Sequence, residues 1–180
     1  MDQQIADDVT MFGYSMGGVI TSAFAAKNPD MLRQLILVAP AGFGGFPTGN
    51  WRLMRDLPVI GDWIARALFP KWHRAAARSL ANSYPHLDRA AADQAAQLKW
   101  RGFIPAVLSS LRYCLRDPRE AEHRKLSRAD VPVLAIWAAK DEAIPLSGMG
   151  NLTKWNRIAV QPQVEGAGHW LPLTHPREVV

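Results

Sequence analysis

Apolar positions along the 180-residue chain fall into two patterns. Short, near-continuous apolar runs occur at residues 9–14, 32–39 and 131–139, with a weaker one at 158–164. Runs of that length, rich in Val, Ile and Leu and bounded by Gly, Pro or Asp, predict strands of a parallel sheet covered on both faces. The small and apolar residues 16–27 predict a helix, which Asn28-Pro29-Asp30 stops because proline cannot continue it. From about Asn50 to Arg128 the strand pattern disappears. Ala-, Arg-, Leu- and Trp-rich helical stretches replace it at 50–57, 63–68, 72–82, 88–100 and 104–115. The last residues, 172–180, read as the start of a final helix. The predicted fold is α/β: a mostly parallel sheet with helices on both faces, in core parts 1–49 and 129–180 around a helical insertion at 50–128. Long structureless connections are uncommon, so an insertion of this length is expected to have a function.

Composition narrows the class. Hydrophobic content of 48% without low-complexity tracts indicates a globular chain. The acidic start, Met1 to Asp8, is not a secretory signal, and no apolar run is long enough for a membrane span. Cys114 is the single cysteine, which excludes an internal disulfide and a cysteine-based metal site and makes the cytoplasm the expected compartment. The net charge of +5 is uneven: residues 51–128 hold 15 Lys/Arg against 7 Asp/Glu. That excess reads first as a solvated Arg-rich helical face, with an anionic substrate or an acidic lipid surface as the other readings. No recognition motif accompanies it, so nucleic acid is not an expected partner.

Candidate chemistry begins at Gly13-Tyr14-Ser15-Met16-Gly17-Gly18, where an apolar run enters a Gly-x-Ser-x-Gly turn and a helix follows at once. The strand-to-helix turn is tight enough that the positions flanking the serine, Gly13 and Gly17, are expected to need glycine. Lys140-Asp141-Glu142 stands at the end of another predicted strand, and Gly166-Ala167-Gly168-His169-Trp170 forms a glycine-rich turn after the last. The order Ser, Asp, His is that of a nucleophile elbow with its acid and base.

On these three ordered motifs the chain resembles the α/β-hydrolase family over nearly its whole length. The resemblance implies Ser15 as nucleophile, His169 as general base, Asp141 as the acid that orients it, and the Met16 backbone N–H as an oxyanion donor. It implies a helical cap in the insertion and a reaction without metal or organic cofactor. His175 is the nearest competing histidine; His73, His86 and His123 fall in the insertion and read as surface or pocket-lining. Serine at the elbow argues against the haloalkane dehalogenase and epoxide hydrolase branches, which carry Asp there. The expected activity is cleavage of a carboxylic ester or related acyl substrate, esterase- or lipase-like. C–C bond hydrolysis and cofactor-free haloperoxidase chemistry are same-fold alternatives. Trp51, Trp63, Trp72, Trp100, Phe69 and Phe103 read mainly as cap core; Phe43 and Trp170 are the pocket candidates. Family members carry strands and helices before the elbow, together with a loop that supplies a second oxyanion donor, and the chain has no His-Gly segment for that loop. It therefore reads as the C-terminal part of such a domain, and a non-catalytic binding module of the same fold is the reading from another class. Oligomeric state is not legible.

Overall fold

The computed structural model describes residues 7–45 and 49–179; the first six residues of the acidic start lie outside them. The described residues form two compact units, 7–45 with 114–179, and 49–113.

The first unit is built on four parallel strands in the order β1 (Val9–Tyr14), β2 (Leu32–Val38), β3 (Val133–Ala138) and β4 (Gln163–Val164). Alternation along the strands divides the core. Leu35 and Leu37 of β2, with Val133, Ala135 and Trp137 of β3, face one side. There they meet Val19, Ala25 and Ala26 of α1 (Met16–Lys27), Leu126 of α6 (Glu120–Arg128) and Leu152 of α7 (Ser147–Trp155). Val38, Ile136 and Ala138 face the other side with Ala167 and with Leu171 of α8 (Leu171–Thr174). Each fully buried leucine in these layers stabilises the unit by about 2 kcal/mol. The α/β fold with helices on both faces of a parallel sheet is as the sequence pattern predicts.

Three departures have physical causes. The strand expected at 158–164 pairs with β3 through the carbonyls of Val160, Pro162 and Val164. Pro162 has no N–H to return, so regular pairing shrinks to β4 and one bridge at Val160. The expected boundary of the insertion at 128 is displaced: residues 114–128 belong to the sheet unit, because Leu126 is buried beside Val131 and Val133. Helix α7 has no counterpart in the sequence reading, since Gly148 and Gly150 depress its helix propensity. Gly148 is required there: a Cβ would lie 2.9 Å from the Trp137 ring and 3.0 Å from Phe43.

The second unit contains α2 (Gly49–Asp56), α3 (Ile60–Ser83), α4 (Asp88–Ala96) and α5 (Phe103–Ser109). The stretches predicted at 63–68 and 72–82 are one continuous helix, α3, that passes through Pro70. Pro70 removes one backbone bond, and buried residues on both sides of it, Ala65 and Phe69 before and Ala77 and Leu80 after, hold the helix together. Trp51 and Trp72 pack around Met54, Ala65 and Leu108, and Phe69 contacts Trp51 and Phe103. These aromatics are the core of the insertion, whereas Trp63 and Trp100 are about 70% exposed. No helix among the described residues is long and apolar enough to cross a membrane.

Candidate active site

Ser15 sits between β1 and α1 with φ 51° and ψ −120°, a conformation that costs a non-glycine residue about 1–3 kcal/mol. Its backbone is held on both sides. Its N–H donates to the Val38 carbonyl at 3.0 Å, and its carbonyl accepts from the Gly18 and Ala41 N–H groups, each at 3.0 Å. Close approach at Gly13 forbids a side chain, because a Cβ would lie 2.3 Å from Thr21 Oγ1 and 2.9 Å from the Gly17 carbonyl. The second forbidden position is Gly18, not the expected Gly17. A Cβ at Gly18 would lie 2.9 Å from Pro40 Cβ, while none of the described atoms comes within 4 Å of one at Gly17. The glycine requirement thus follows the packing of α1 on the end of β1 and on the loop after β2 rather than symmetry about the serine.

The three residues expected to act together do meet. Ser15 Oγ lies 2.9 Å from His169 Nε2, and His169 Nδ1 lies 2.9 Å from Asp141 Oδ2. Asp141 is fixed before it meets the histidine: its Oδ1 accepts the backbone N–H groups of Ala143 (2.8 Å) and Ile144 (2.7 Å). Its side chain is 2% exposed and that of His169 20%, so the chain of contacts runs from a buried carboxylate outwards to a half-buried hydroxyl. With Nδ1–H donating to the carboxylate, the Nε2 lone pair is free to accept the Ser15 proton. The Met16 N–H opens α1, where the first turn has no intrahelical acceptor and the dipole is positive.

The remaining candidates separate. His175 lies away from this chain of contacts, with its Nδ1 2.9 Å from Thr174 Oγ1. His73 belongs to the insertion core, its Nε2–H donating to the Gln94 carbonyl at 2.8 Å between Phe69 and Phe103. His123, expected at the surface or in a pocket, is fully buried in the sheet unit, 3.2 Å from Ser22 Oγ. Burial pushes its imidazole down to about 4, partly opposed by the charge of Glu122. Phe43 does not line the site: it is buried and packs on His123, Trp137 and Trp155. Trp170 is half-buried, next to His169 at the start of α8. Sequence reasoning missed Tyr14, whose ring contacts that of His169. No cluster of three or more His, Cys, Asp or Glu side chains suited to a metal occurs among the described residues.

A parallel sheet with a strained serine at a strand–helix turn, and an acid and a histidine on later loops, defines a fold class. The chain belongs to the alpha/beta hydrolase fold family, whose model matches residues 1–176. It is 25% identical, over 97% of its length, to the 2-hydroxymuconate semialdehyde hydrolase of Pseudomonas sp. strain CF600. Among solved structures it is similar to the 2-hydroxy-6-oxo-6-phenylhexa-2,4-dienoate hydrolase of Rhodococcus sp. strain RHA1 (TM-score 0.70, 17% identity, 96% of this chain). It is also similar to Cfl2 of Burkholderia cenocepacia (TM-score 0.72, 17% identity, 98% of this chain and 64% of that one). The chain spans 60% of the length of the Pseudomonas relative and 61% of the Rhodococcus one.

Proposed function

We propose that the protein is a serine hydrolase working through an acyl-enzyme on Ser15. The observation that carries this reading is the pair of 2.9 Å contacts joining Ser15 Oγ, the two nitrogens of His169 and Asp141 Oδ2. In the first half-reaction Ser15 Oγ bonds to the substrate carbonyl carbon while its proton passes to His169 Nε2. Asp141 stabilises the imidazolium that results, and the Met16 N–H donates to the oxyanion. The bond to the leaving group then breaks, and the leaving group takes the proton from Nε2. Water attacks the acyl carbon in the second half-reaction, giving its proton to the same nitrogen, and Ser15 regains a proton as the carboxylic acid departs. The helical unit at 49–113 is assigned as the cap, and Trp170, which follows the base in the chain, as a pocket residue.

The primary substrate reading is a carboxylic ester or related acyl compound. Hydrolysis of a C–C bond in a vinylogous diketone is the second reading. What favours it is the activity named for the Pseudomonas and Rhodococcus relatives. Product analysis with one substrate of each kind separates the two. The underlying proposal is tested by labelling the purified chain with a fluorophosphonate and locating the adduct by mass spectrometry. Modification at Ser15, abolished in Ser15→Ala, is expected; a folded chain that stays unlabelled overturns it.

A further inference from the structure

Tyr14, the last residue of β1, joins two regions 155 positions apart in sequence. Its hydroxyl donates to the His169 backbone carbonyl at 2.7 Å, and its ring centroid lies 5.3 Å from that of the imidazole at an interplanar angle of 32°. We propose that Tyr14 is a positioning residue: its hydroxyl fixes the backbone of the histidine turn and so keeps His169 Nε2 within hydrogen-bonding range of Ser15 Oγ. The inference rests on the reading of Ser15 and His169 as nucleophile and base.

The turn needs such a restraint. Gly166 adopts φ +77°, and a second glycine, Gly168, directly precedes the histidine, so the backbone on this side of His169 is intrinsically loose. Other bonds hold its neighbours. The Ala167 carbonyl accepts the Lys140 N–H at 2.8 Å, and the Gly168 carbonyl accepts the Leu171 N–H at 3.1 Å. Asp141 holds the imidazole from the side-chain end. The carbonyl of His169 itself is held by Tyr14. Because Tyr14 adjoins Ser15 in the chain, one hydrogen bond references the backbone of the base to the backbone of the nucleophile. Apart from the Ser15 Oγ–His169 Nε2 contact itself, a longer connection between them runs through β2, β3 and the Asp141 turn. The phenol stays a donor wherever a neutral imidazole can act, since burial, and then the charge of Asp141, raises its ionisation well above the usual tyrosine range.

Tyr14→Phe keeps the ring and deletes the donor. Fluorophosphonate labelling of the full chain, followed at several probe concentrations, separates the limiting rate of modification from the apparent affinity. Misplacing reacting groups by an ångström can cost about 100-fold. With Asp141 and the Ala167 anchor intact, loss of this single restraint is expected to lower the limiting rate about tenfold, with affinity unchanged. The ¹⁵N resonances of the His169 ring are expected to be sharp in the parent chain and to broaden or split in the variant. A merely structural role predicts a lower melting temperature with an unaltered limiting rate per folded molecule and unaltered ring resonances, and that outcome overturns the proposal. If the parent chain is not modified at Ser15, the triad reading fails instead. The ring resonances then still decide whether Tyr14 positions His169, and their indifference to Tyr14→Phe overturns the proposal in that case too.

Discussion

Two serine–histidine pairs flank helix α1, and they have opposite characters. Ser15, immediately before the helix, contacts His169 at 2.9 Å; Ser22, about two turns along, contacts His123 at 3.2 Å. The inner pair is sealed in the core against Phe43, and the Nδ1 of His123 has no partner among the described residues. The outer pair is half-buried and has a carboxylate on the far nitrogen. On the proposed function, a Ser–His hydrogen bond does not by itself make a reactive site. Reactivity also needs an acid to hold the imidazole and stabilise its charge, and a free helix N-terminus beside the serine. In the inner pair no carboxylate bonds the far nitrogen, the through-space charge of Glu122 only partly offsets burial, and Ser22 lies within the helix; its low imidazole basicity reflects the cost of placing charge in an apolar layer.

The contrast breaks most sharply at Asp141. Asp141→Asn is expected to slow modification at Ser15 by about 10⁴-fold, the scale seen when a triad carboxylate is neutralised, whereas Ser22→Ala leaves the rate per folded molecule unchanged. Labelling kinetics on both variants make the test, and equal rates would erase the distinction between the pairs. Removing the inner imidazole acts on stability instead. His123→Ala leaves a cavity and an unpaired Ser22 hydroxyl, so a loss of about 3 kcal/mol is expected from urea unfolding, with labelling of the folded fraction retained. The smallest effect is that of pH. His123 binds its proton near pH 4 when folded and near 6.5 when unfolded, so the unfolded chain holds more protons in that window. Its contribution to stability is complete above pH 6.5 and is lost as pH falls towards 4, by roughly 2 kcal/mol between pH 7 and pH 5. Unfolding midpoints at the two pH values, compared with those of His123→Ala, isolate this slope. An equal slope in the variant would assign it to other groups.

What could be read from the sequence was whatever local backbone chemistry dictates. The strands β1, β2 and β3 declare themselves as apolar runs, although β1 proves only partly buried, with Phe12 50% exposed. Ser15, Asp141 and His169 each stand at a strand end marked by glycine or by a charge following an apolar run. Features decided by tertiary contact were not legible. His123 looks like any polar residue of a basic amphipathic helix until α6 packs on α1 and buries it. Helix α7 forms around two glycines because Trp137 and Phe43 need space at Gly148. Gly18 carries the steric constraint expected of Gly17 because Pro40 arrives on the loop after β2. The bond from Tyr14 to His169 leaves no trace in spacing or composition, since both partners are explained by their neighbours without it.

The turn that Asp141 closes sets a length scale at that position. One oxygen is occupied by the N–H groups of Ala143 and Ile144, two and three residues ahead, while the other reaches His169. Only a side chain with a single methylene can fold back on its own following backbone and still present its second oxygen outward. Glutamate, the exchange that keeps the charge and changes least else, overshoots both amides and gives up the clamp. The site thus acts as a ruler as well as a charge, and in any redesign of this loop the aspartate and the two residues after next move as one unit.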